Sequence, residues 1–449
     1  MDLLSKYIEK YKSLNQYYQK SDTEFFKNIR EKSLEKLERF NIPIEKNEKY
    51  KYTKIESVLK NEYEFILDEK NVNINLNDYF QCQIKDLDTH VILLSNGIFY
   101  KNNKNKLSTP QNVIICSIKE ASIKYPEIIN KYYNSLSQEN DDFFSNLNSL
   151  FANDGLFVYV PENVKISKAL QIINITHGFE NKNLFTRNLF ILEENTELSV
   201  IFCNHTLNNS NTFIINVTES IVGENASFKC YVIQNEHNQS IVNNFHFIDL
   251  AKNSSVNSLE LLLHGKILRN NIFVKLHEEN SNVNLYGLGL ADKEQIFENY
   301  TLIDHIAENC KSFELYKNIL DDFAVCSFEG KIIVEKNAQK TTAYQSNKNI
   351  CLTSDAKMRT KPQLEIYADD VKCSHGSTVG QLDTEALFYL QQRGINYKEA
   401  SQMLMFAFAN DVLNYIDVEA LKNKISDLIN SRLRGELSDK CNCLIGCGK

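Results

Sequence analysis

The chain has 449 residues, of which 43% are hydrophobic and 24% are charged, a composition that is ordinary for a folded protein and excludes a wholly disordered one. Its net charge of -8 argues against a chain-wide nucleic-acid surface, which would need a surplus of lysine and arginine. No run approaches the roughly 18 apolar residues of a membrane helix, and charges interrupt the N-terminus where a signal peptide would be apolar. We therefore expect a cytoplasmic protein that binds neither nucleic acid nor membrane.

The N-terminal region, residues 1–85, is predicted to be helical. Ser21 and Asp22 can cap a run of apolar residues that recur at helical spacing, and Pro43 ends that run. The apolar positions are Phe25, Phe26, Ile29, Leu34 and Leu37. We place this region ahead of the main core.

The main core, residues 86–380, is predicted to be a β-helix. From about residue 155 the sequence changes to short apolar or alternating runs, such as LSVIF at 198–202, which predict strands. Between these runs a charged residue followed by asparagine recurs, and the asparagines are separated by 32, 30, 28, 27, 29 and 28 residues. The seven asparagines are Asn163, Asn195, Asn225, Asn253, Asn280, Asn309 and Asn337.

This near-constant period is typical of a solenoid, because every coil turns at the same place and stacks on the last. Asparagine suits such a turn, since it tolerates the left-handed backbone conformation better than most residues. About seven coils fit between residues 155 and 375. Asparagine is common in this chain, so an irregular β-sandwich is the alternative.

The C-terminal region, residues 381–449, is predicted to contain three short amphipathic helices. Their starts are predicted at Asp383, Asn396 and Asp417, and the first and third end before Gly394 and Gly435. In the third helix, the apolar residues Val418, Leu421, Ile425, Leu428 and Leu433 share one face. Helices behind a solenoid form either a cap or a docking platform.

The eleven cysteines occur at scattered spacings without paired CxxC motifs. An odd number in a chain without an export signal predicts reduced thiols, most of them buried as small apolar side chains. Cys441, Cys443 and Cys447 in the tail could bind a soft metal or belong to a frayed, reduced terminus. We assign them no metal role.

The sequence lacks the motifs of common enzymes. It contains no phosphate-binding loop, dinucleotide fingerprint, GxSxG elbow or HExxH motif, and only 14 glycines. We therefore expect a protein without catalytic activity of its own.

Cys373 and His375 form the one pair of soft ligands that stands out. On a strand, residues two positions apart point to the same face, so a thiol and an imidazole would project side by side. Such a pair could bind iron or an iron-sulfur cluster, although two ligands cannot complete a site. The alternative is a buried cysteine beside a structural histidine.

The surrounding sequence, KPQLEIYADDVKCSHGSTVGQLDTEALFYLQQRGI at residues 361–395, closely resembles the C-terminal signature of the SufB/SufD family of iron-sulfur cluster assembly proteins. Two further segments resemble the family: NEKYKYTKIESV at 47–58, with Tyr50 where tryptophan is usual, and LNSLFANDGLFVYVPENV at 147–164. The SufD branch is the better match, because the chain has Cys351-Leu352-Thr353 where SufB-like chains carry Cys-Asp-Ser.

The resemblance implies a right-handed parallel β-helix with flanking helices, acting as a non-catalytic scaffold subunit of the SUF complex. It also implies pairing with SufB through the β-helix, docking of the SufC ATPase on the C-terminal helices, and a homodimer when the chain is alone. His375, with Cys373 less securely, would then be a transient ligand of an iron-sulfur cluster shared with SufB, and no cofactor would be bound permanently.

Two alternatives to this function are considered. The first is a SufB-like subunit that itself accepts sulfur on Cys351 or Cys373. The second is a β-helix enzyme acting on polysaccharide, although such enzymes usually carry export signals.

Overall fold

The chain folds as a parallel β-solenoid with helices at both ends. The computed structural model describes residues 3–39, 50, 63–66, 87–100, 110, 112–140, 142–177, 181–206 and 211–435. From residue 156 onward, successive strands alternate between two sheets, and each pairs in parallel with the strand two positions along the chain, giving about seven turns. The predicted β-helix with flanking helical regions is confirmed, whereas the exact domain boundaries stay predictions.

The first sheet contains β1 (Glu64–Phe65), β4 (Ile114–Ser117), β5 (Leu156–Val160), β7 (Lys182–Leu192), β9 (Thr212–Val222), β11 (Ser240–Leu250), β13 (Ile267–Leu276), β15 (Ile296–His305), β17 (Val325–Val334) and β19 (Lys357–Ile366). The second sheet contains β2 (His90–Ser95), β3 (Ile98–Tyr100), β6 (Leu170–Thr176), β8 (Glu197–Thr206), β10 (Ser227–Asn235), β12 (Ser255–His264), β14 (Asn282–Ala291), β16 (Lys311–Leu320), β18 (Thr342–Cys351) and β20 (Lys372–Gly380). The helices are α1 (Leu3–Ser21), α2 (Glu24–Arg39), α3 (Ile118–Lys124), α4 (Pro126–Tyr132), α5 (Phe143–Phe151), α6 (Thr384–Gln392), α7 (Tyr397–Leu413) and α8 (Glu419–Leu433).

Asparagine forms the repeated corner of the solenoid, as predicted. Six of the seven predicted asparagines have a positive φ, between 55° and 62°. Each donates its backbone N–H to the next coil; for example, Asn195 donates to the carbonyl of Glu224 at 2.9 Å. The side chains also stack, since Asn253 Nδ2 donates to Asn225 Oδ1 at 3.1 Å. The corner residue thus connects neighbouring coils as well as turning the chain.

The seventh predicted corner, Asn337, is wrong. Lys340 has the positive φ in that coil, at 59°, and its N–H donates to Asp370 in the next coil. The connection from β17 to β18 covers residues 335–341, whereas the preceding one, from β15 to β16, covers residues 306–310. Because the last corner is two residues longer, the left-handed position falls later than the period predicts.

The N-terminal helices cover the outer face of the first sheet. Aromatic and aliphatic side chains of α1, α2 and α5 pack on β9 and β11. Beneath them Arg187 and Glu219 form a fully buried ion pair at 3.3 Å, and Arg187 also donates to Ser149 Oγ at 2.6 Å. Tyr50 is buried nearby, with its hydroxyl donating to Asp142 at 2.6 Å and its ring stacked on Arg269. These contacts attach the helical layer to the solenoid.

The C-terminal helices α7 and α8 cover the outer face of the second sheet. Their apolar stripe, including Met405, Val412, Leu421 and Ile425, packs against strands β8 to β16. Asp383 and Asn396 cap α6 and α7 as predicted.

Asp417, however, is not the cap of α8. Val418 occupies that position without a side-chain hydrogen bond, and Asp417 instead pairs with Lys229 on β10. The acidic side chain therefore attaches the helical region to the solenoid.

Several predicted features lie outside the described residues: Pro43, most of the segment at 47–58, Cys82 and the three tail cysteines. Within the described part of the chain, no helix combines the length and apolarity that a membrane crossing needs.

Candidate functional site

The solenoid has an open end formed by β19 and β20. Each is the last strand of its sheet, and on its outer side it pairs with no strand in the described part of the chain. Most side chains of both strands are exposed or half-buried. An unpaired strand edge presents free N–H and C=O groups, which makes it a ready site for strand addition by another chain.

Cys373 and His375 both face inward at this open end. In the parallel register Cys373 lies opposite Ala343 and His375 opposite Gln345 on β18, and both β18 residues are buried in the solenoid interior. The predicted placement on one face is therefore what the structure shows. His375 is nevertheless exposed, because the last coil has no further coil over it, while Cys373 is half-buried.

The surroundings of Cys373 favour its protonated form. Burial raises the pKa of the Cys373 thiol, and a backbone hydrogen bond from Ala343 only partly offsets that effect. A protonated thiol is a weak nucleophile, and it binds a metal only after losing its proton. Among the described residues, no three His, Cys, Asp or Glu side chains are grouped so that they could bind a metal ion. Cys373 and His375 are thus at most part of a ligand set.

A polar contact joins the two sheets at the open end. Ser377 Oγ on β20 donates to Thr360 Oγ1 on β19 at 2.8 Å. Met358 and Leu364 on β19 face inward and are only partly buried against the core. None of these residues was among the predicted site residues, although the alternation of β19 and β20 could have placed them beside Cys373 and His375.

A second exposed surface lies on the C-terminal helices. Its large apolar side chains are 51% to 62% exposed although α7 and α8 are packed on the solenoid: Phe388, Tyr389, Tyr397 and Met403. Arg393 donates to the hydroxyl of Tyr389 at 2.7 Å, which orders part of this surface. The helical region therefore covers the solenoid on one side and presents aromatic side chains on the other.

The remaining described cysteines are buried, as predicted, apart from Cys351, which is half-buried. Within the described part of the chain, no disulfide involves Cys116, Cys203, Cys230, Cys310 or Cys326. Burial raises the pKa of Cys351 as well. Burial also raises the pKa of Cys203, Cys230, Cys310 and Cys326, so these thiols lack the lowered pKa of a reactive cysteine.

The fold and the site define a class: a β-solenoid whose candidate ligands lie at an open terminal edge. Residues 174–408 match the family described as SUF system FeS cluster assembly, SufBD core domain, and residues 1–172 match the SufBD protein N-terminal region. The chain belongs to the SufBD family.

Named relatives agree with this assignment. The iron-sulfur cluster assembly protein SufD of Escherichia coli (strain K12) is 30% identical over 415 residues, which are 90% of this chain and 92% of that protein. SufD of Bacillus subtilis (strain 168) is 25% identical, over 72% of this chain and 75% of that protein. The SufBD family protein slr0076 of Synechocystis is 27% identical, over 76% of this chain and 77% of that protein. The family resemblance of residues 361–395 is thereby confirmed.

Proposed function

We propose that this chain is a non-catalytic scaffold subunit of a cytoplasmic SUF complex. It pairs with a SufB subunit through the open end of its solenoid, and its C-terminal helices bind the SufC ATPase. The observation that carries the proposal is the unpaired edge of β19 and β20, with Cys373 and His375 facing inward at its last coil.

The exposed edge strands support the pairing, because a second solenoid could continue this one. A partner coil would satisfy the free backbone groups of both edge strands and cover the partly buried side chains of Met358 and Leu364 and the exposed side chain of Val379. When the chain is alone, a second copy can occupy the same edge, which accounts for the expected homodimer.

The ligand pair supports a cluster that is shared and transient. Thiolate and imidazole are both ligands of iron-sulfur clusters. This chain supplies two candidate donors, so SufB would provide the others. Because the Cys373 thiol has a raised pKa, binding would release its proton and would be reversible by protonation.

The exposed aromatic side chains of α6 and α7 support docking of the ATPase. Aromatic side chains are enriched where protein partners bind. Helix α7 is anchored on the solenoid, where Lys317 on β16 donates to the carbonyl of Phe408 at 2.9 Å and pairs with Asp411. Movement of two ATPase subunits upon ATP binding would thus reach the solenoid and expose the assembly site.

The pairing is tested by binding of a co-expressed SufB subunit. Val379→Asp puts a charge on the inward face of β20, where a continued solenoid would bury it, and should lower complex recovery at least tenfold. The matched control is Thr378→Asp on the adjacent outward position, which should have a smaller effect. Equal recovery of both variants would contradict pairing through this edge.

The ligand role is tested by cluster yield in the co-expressed complex. His375→Ala should lower bound iron and sulfide while leaving the subunit ratio unchanged. The matched control is His277→Ala, which removes another exposed imidazole, 60% exposed, away from the open end. An unchanged yield in His375→Ala would remove His375 from the site.

The same preparations distinguish the alternatives. Trapping a persulfide on Cys351 or Cys373 of the isolated chain would favour the SufB-like function, against which the raised pKa of both thiols argues. Turnover of polyuronides would favour the polysaccharide enzyme.

A further inference from the structure

The inner wall of the solenoid carries a column of polar side chains that ends at the open end. Strands β16, β18 and β20 lie in register, and Glu314, Gln345 and His375 occupy the same inward position in three successive coils. Glu314 and Gln345 are buried, whereas His375 is exposed. A carboxyl group therefore lies two strand spacings, roughly 9.5 Å, behind the exposed imidazole.

Uncharged groups surround the Glu314 carboxyl. Gln345 Nε2 donates to Glu314 Oε2 at 2.5 Å, and Thr301 faces the same carboxyl from β15. His305 on β15 contacts Ser312, two residues before Glu314, and burial lowers the pKa of His305 to about 3, so this imidazole is neutral. Within the described residues, no lysine or arginine acts on Glu314.

Glu314 is a buried group whose charge changes near neutral pH. Burial raises its pKa to about 7, because a carboxylate without a cation is unfavourable in the interior. Tyr316 interacts electrostatically with both Glu314 and Glu260. Burial raises the pKa of Glu260 to about 8 and that of Tyr316 well above its usual value, so both are mainly neutral at pH 7.

Two glycines leave room in the interior for these polar side chains. A Cβ at Gly287 would lie 2.2 Å from the Tyr316 ring, and one at Gly330 would lie 2.3 Å from Gln345 Nε2. Glycine within a strand marks such a close approach. Glu314 Oε1, Gln345 Oε1 and Tyr316 Oη are buried and have no hydrogen-bond partner among the described residues. These three atoms leave the interior polar next to the carboxyl.

We propose that Glu314 is a positioning residue for the open end: its carboxyl group ionises when positive charge collects at His375, and the resulting anion strengthens cation binding there. The O–H bond of the carboxyl breaks and its proton passes to water, with no oxidation or reduction. The coupling is reciprocal, so a cation at the open end favours ionisation as much as ionisation favours the cation. This inference deepens the proposed function and rests on it.

Histidine-selective NMR of the isolated, full-length chain, at a concentration at which it is monomeric, tests the coupling. The ring signal of His375 is identified by its loss in His375→Gln, and its pH titration is compared between wild type and Glu314→Gln. Because Glu314, with a pKa of about 7, is only partly ionised in this pH range, its replacement should move the midpoint down by up to roughly 0.3 to 1 pH unit, the shift for two full charges about 9.5 Å apart. Gly330→Ala should move it in the same direction by less, because its methyl group would displace Gln345 from the carboxyl.

The matched control is Glu236→Gln. Glu236 is another buried carboxyl with a raised pKa, but it follows β10, five strand spacings from β20, so its replacement should leave the midpoint unchanged. An unchanged midpoint in Glu314→Gln, or an equal change in Glu236→Gln, would overturn the coupling; if Glu314→Gln fails to fold, an unchanged midpoint in Gly330→Ala would do so. Because neither SufB nor iron is present, such a result would leave the assembly function to be judged by the cluster-yield experiment.

Discussion

The two ends of the solenoid are built differently. At the N-terminal end, the outermost pairs β2–β3 and β4–β5 are antiparallel, β3 has only three residues, and helices lie beside them. At the C-terminal end, β19 and β20 are ten and nine residues long and remain parallel, with their outer edges unpaired. Short, covered edges prevent strand addition, whereas long exposed ones invite it. The contrast supports the proposed pairing, in which the chain itself covers one end and a partner covers the other.

The largest expected effect is at the N-terminal helical layer. Arg187→Ala leaves Glu219 buried without its cation and should cost about 3 to 5 kcal/mol of the free energy of unfolding. Lys331→Ala near the open end breaks a partly exposed pair with Glu365 and should cost less than about 1 kcal/mol. Urea unfolding measures both. Similarly small losses of unfolding free energy in both variants would contradict the expected difference between the two regions.

The middle coils should respond to pH through Glu260. Burial raises the pKa of Glu260 to about 8, above its unfolded value, so its neutral form stabilises the fold at low pH and this contribution is lost as pH rises towards 8. Glu260→Gln, which can still accept the hydrogen bond from Asn270, should therefore gain stability relative to wild type by roughly 2 to 4 kcal/mol between pH 5 and pH 8. Parallel stability curves for the two proteins would show that Glu260 is ionised in the folded state.

A smaller effect is expected at the asparagine corners, which recur along the solenoid. Asn253 has a φ of 56°, where alanine is strained, so Asn253→Ala should cost about 1 kcal/mol. Asn253→Gly removes the side-chain bond to Asn225 but adopts this φ freely, and should change stability by less than about 0.5 kcal/mol. Thermal unfolding compares them. Equal losses would assign the role of asparagine to its side chain instead of its backbone.

The sequence predicts the repeated corners of the solenoid better than it predicts which faces of the strands and helices are buried. Six corners are at the predicted asparagines because the left-handed turn demands a particular residue type, and Asn337 fails because a longer connection displaces the turn. The shared face of Cys373 and His375 follows from strand alternation. The inward position of Glu314 could not be predicted, because alternation alone does not say which face of a strand is the interior. Nor does an amphipathic stripe reveal that α7 and α8 cover the second sheet.

Amide hydrogen exchange on the chain with and without a SufB partner tests the open end most directly. The isolated chain is measured at a concentration at which it is monomeric. We predict that complex formation slows amide exchange in β19 and β20, at residues 357–380. Exchange in the strands of the N-terminal end should stay unchanged. A stable complex in which β19 and β20 exchange as fast as in the free chain would contradict the account.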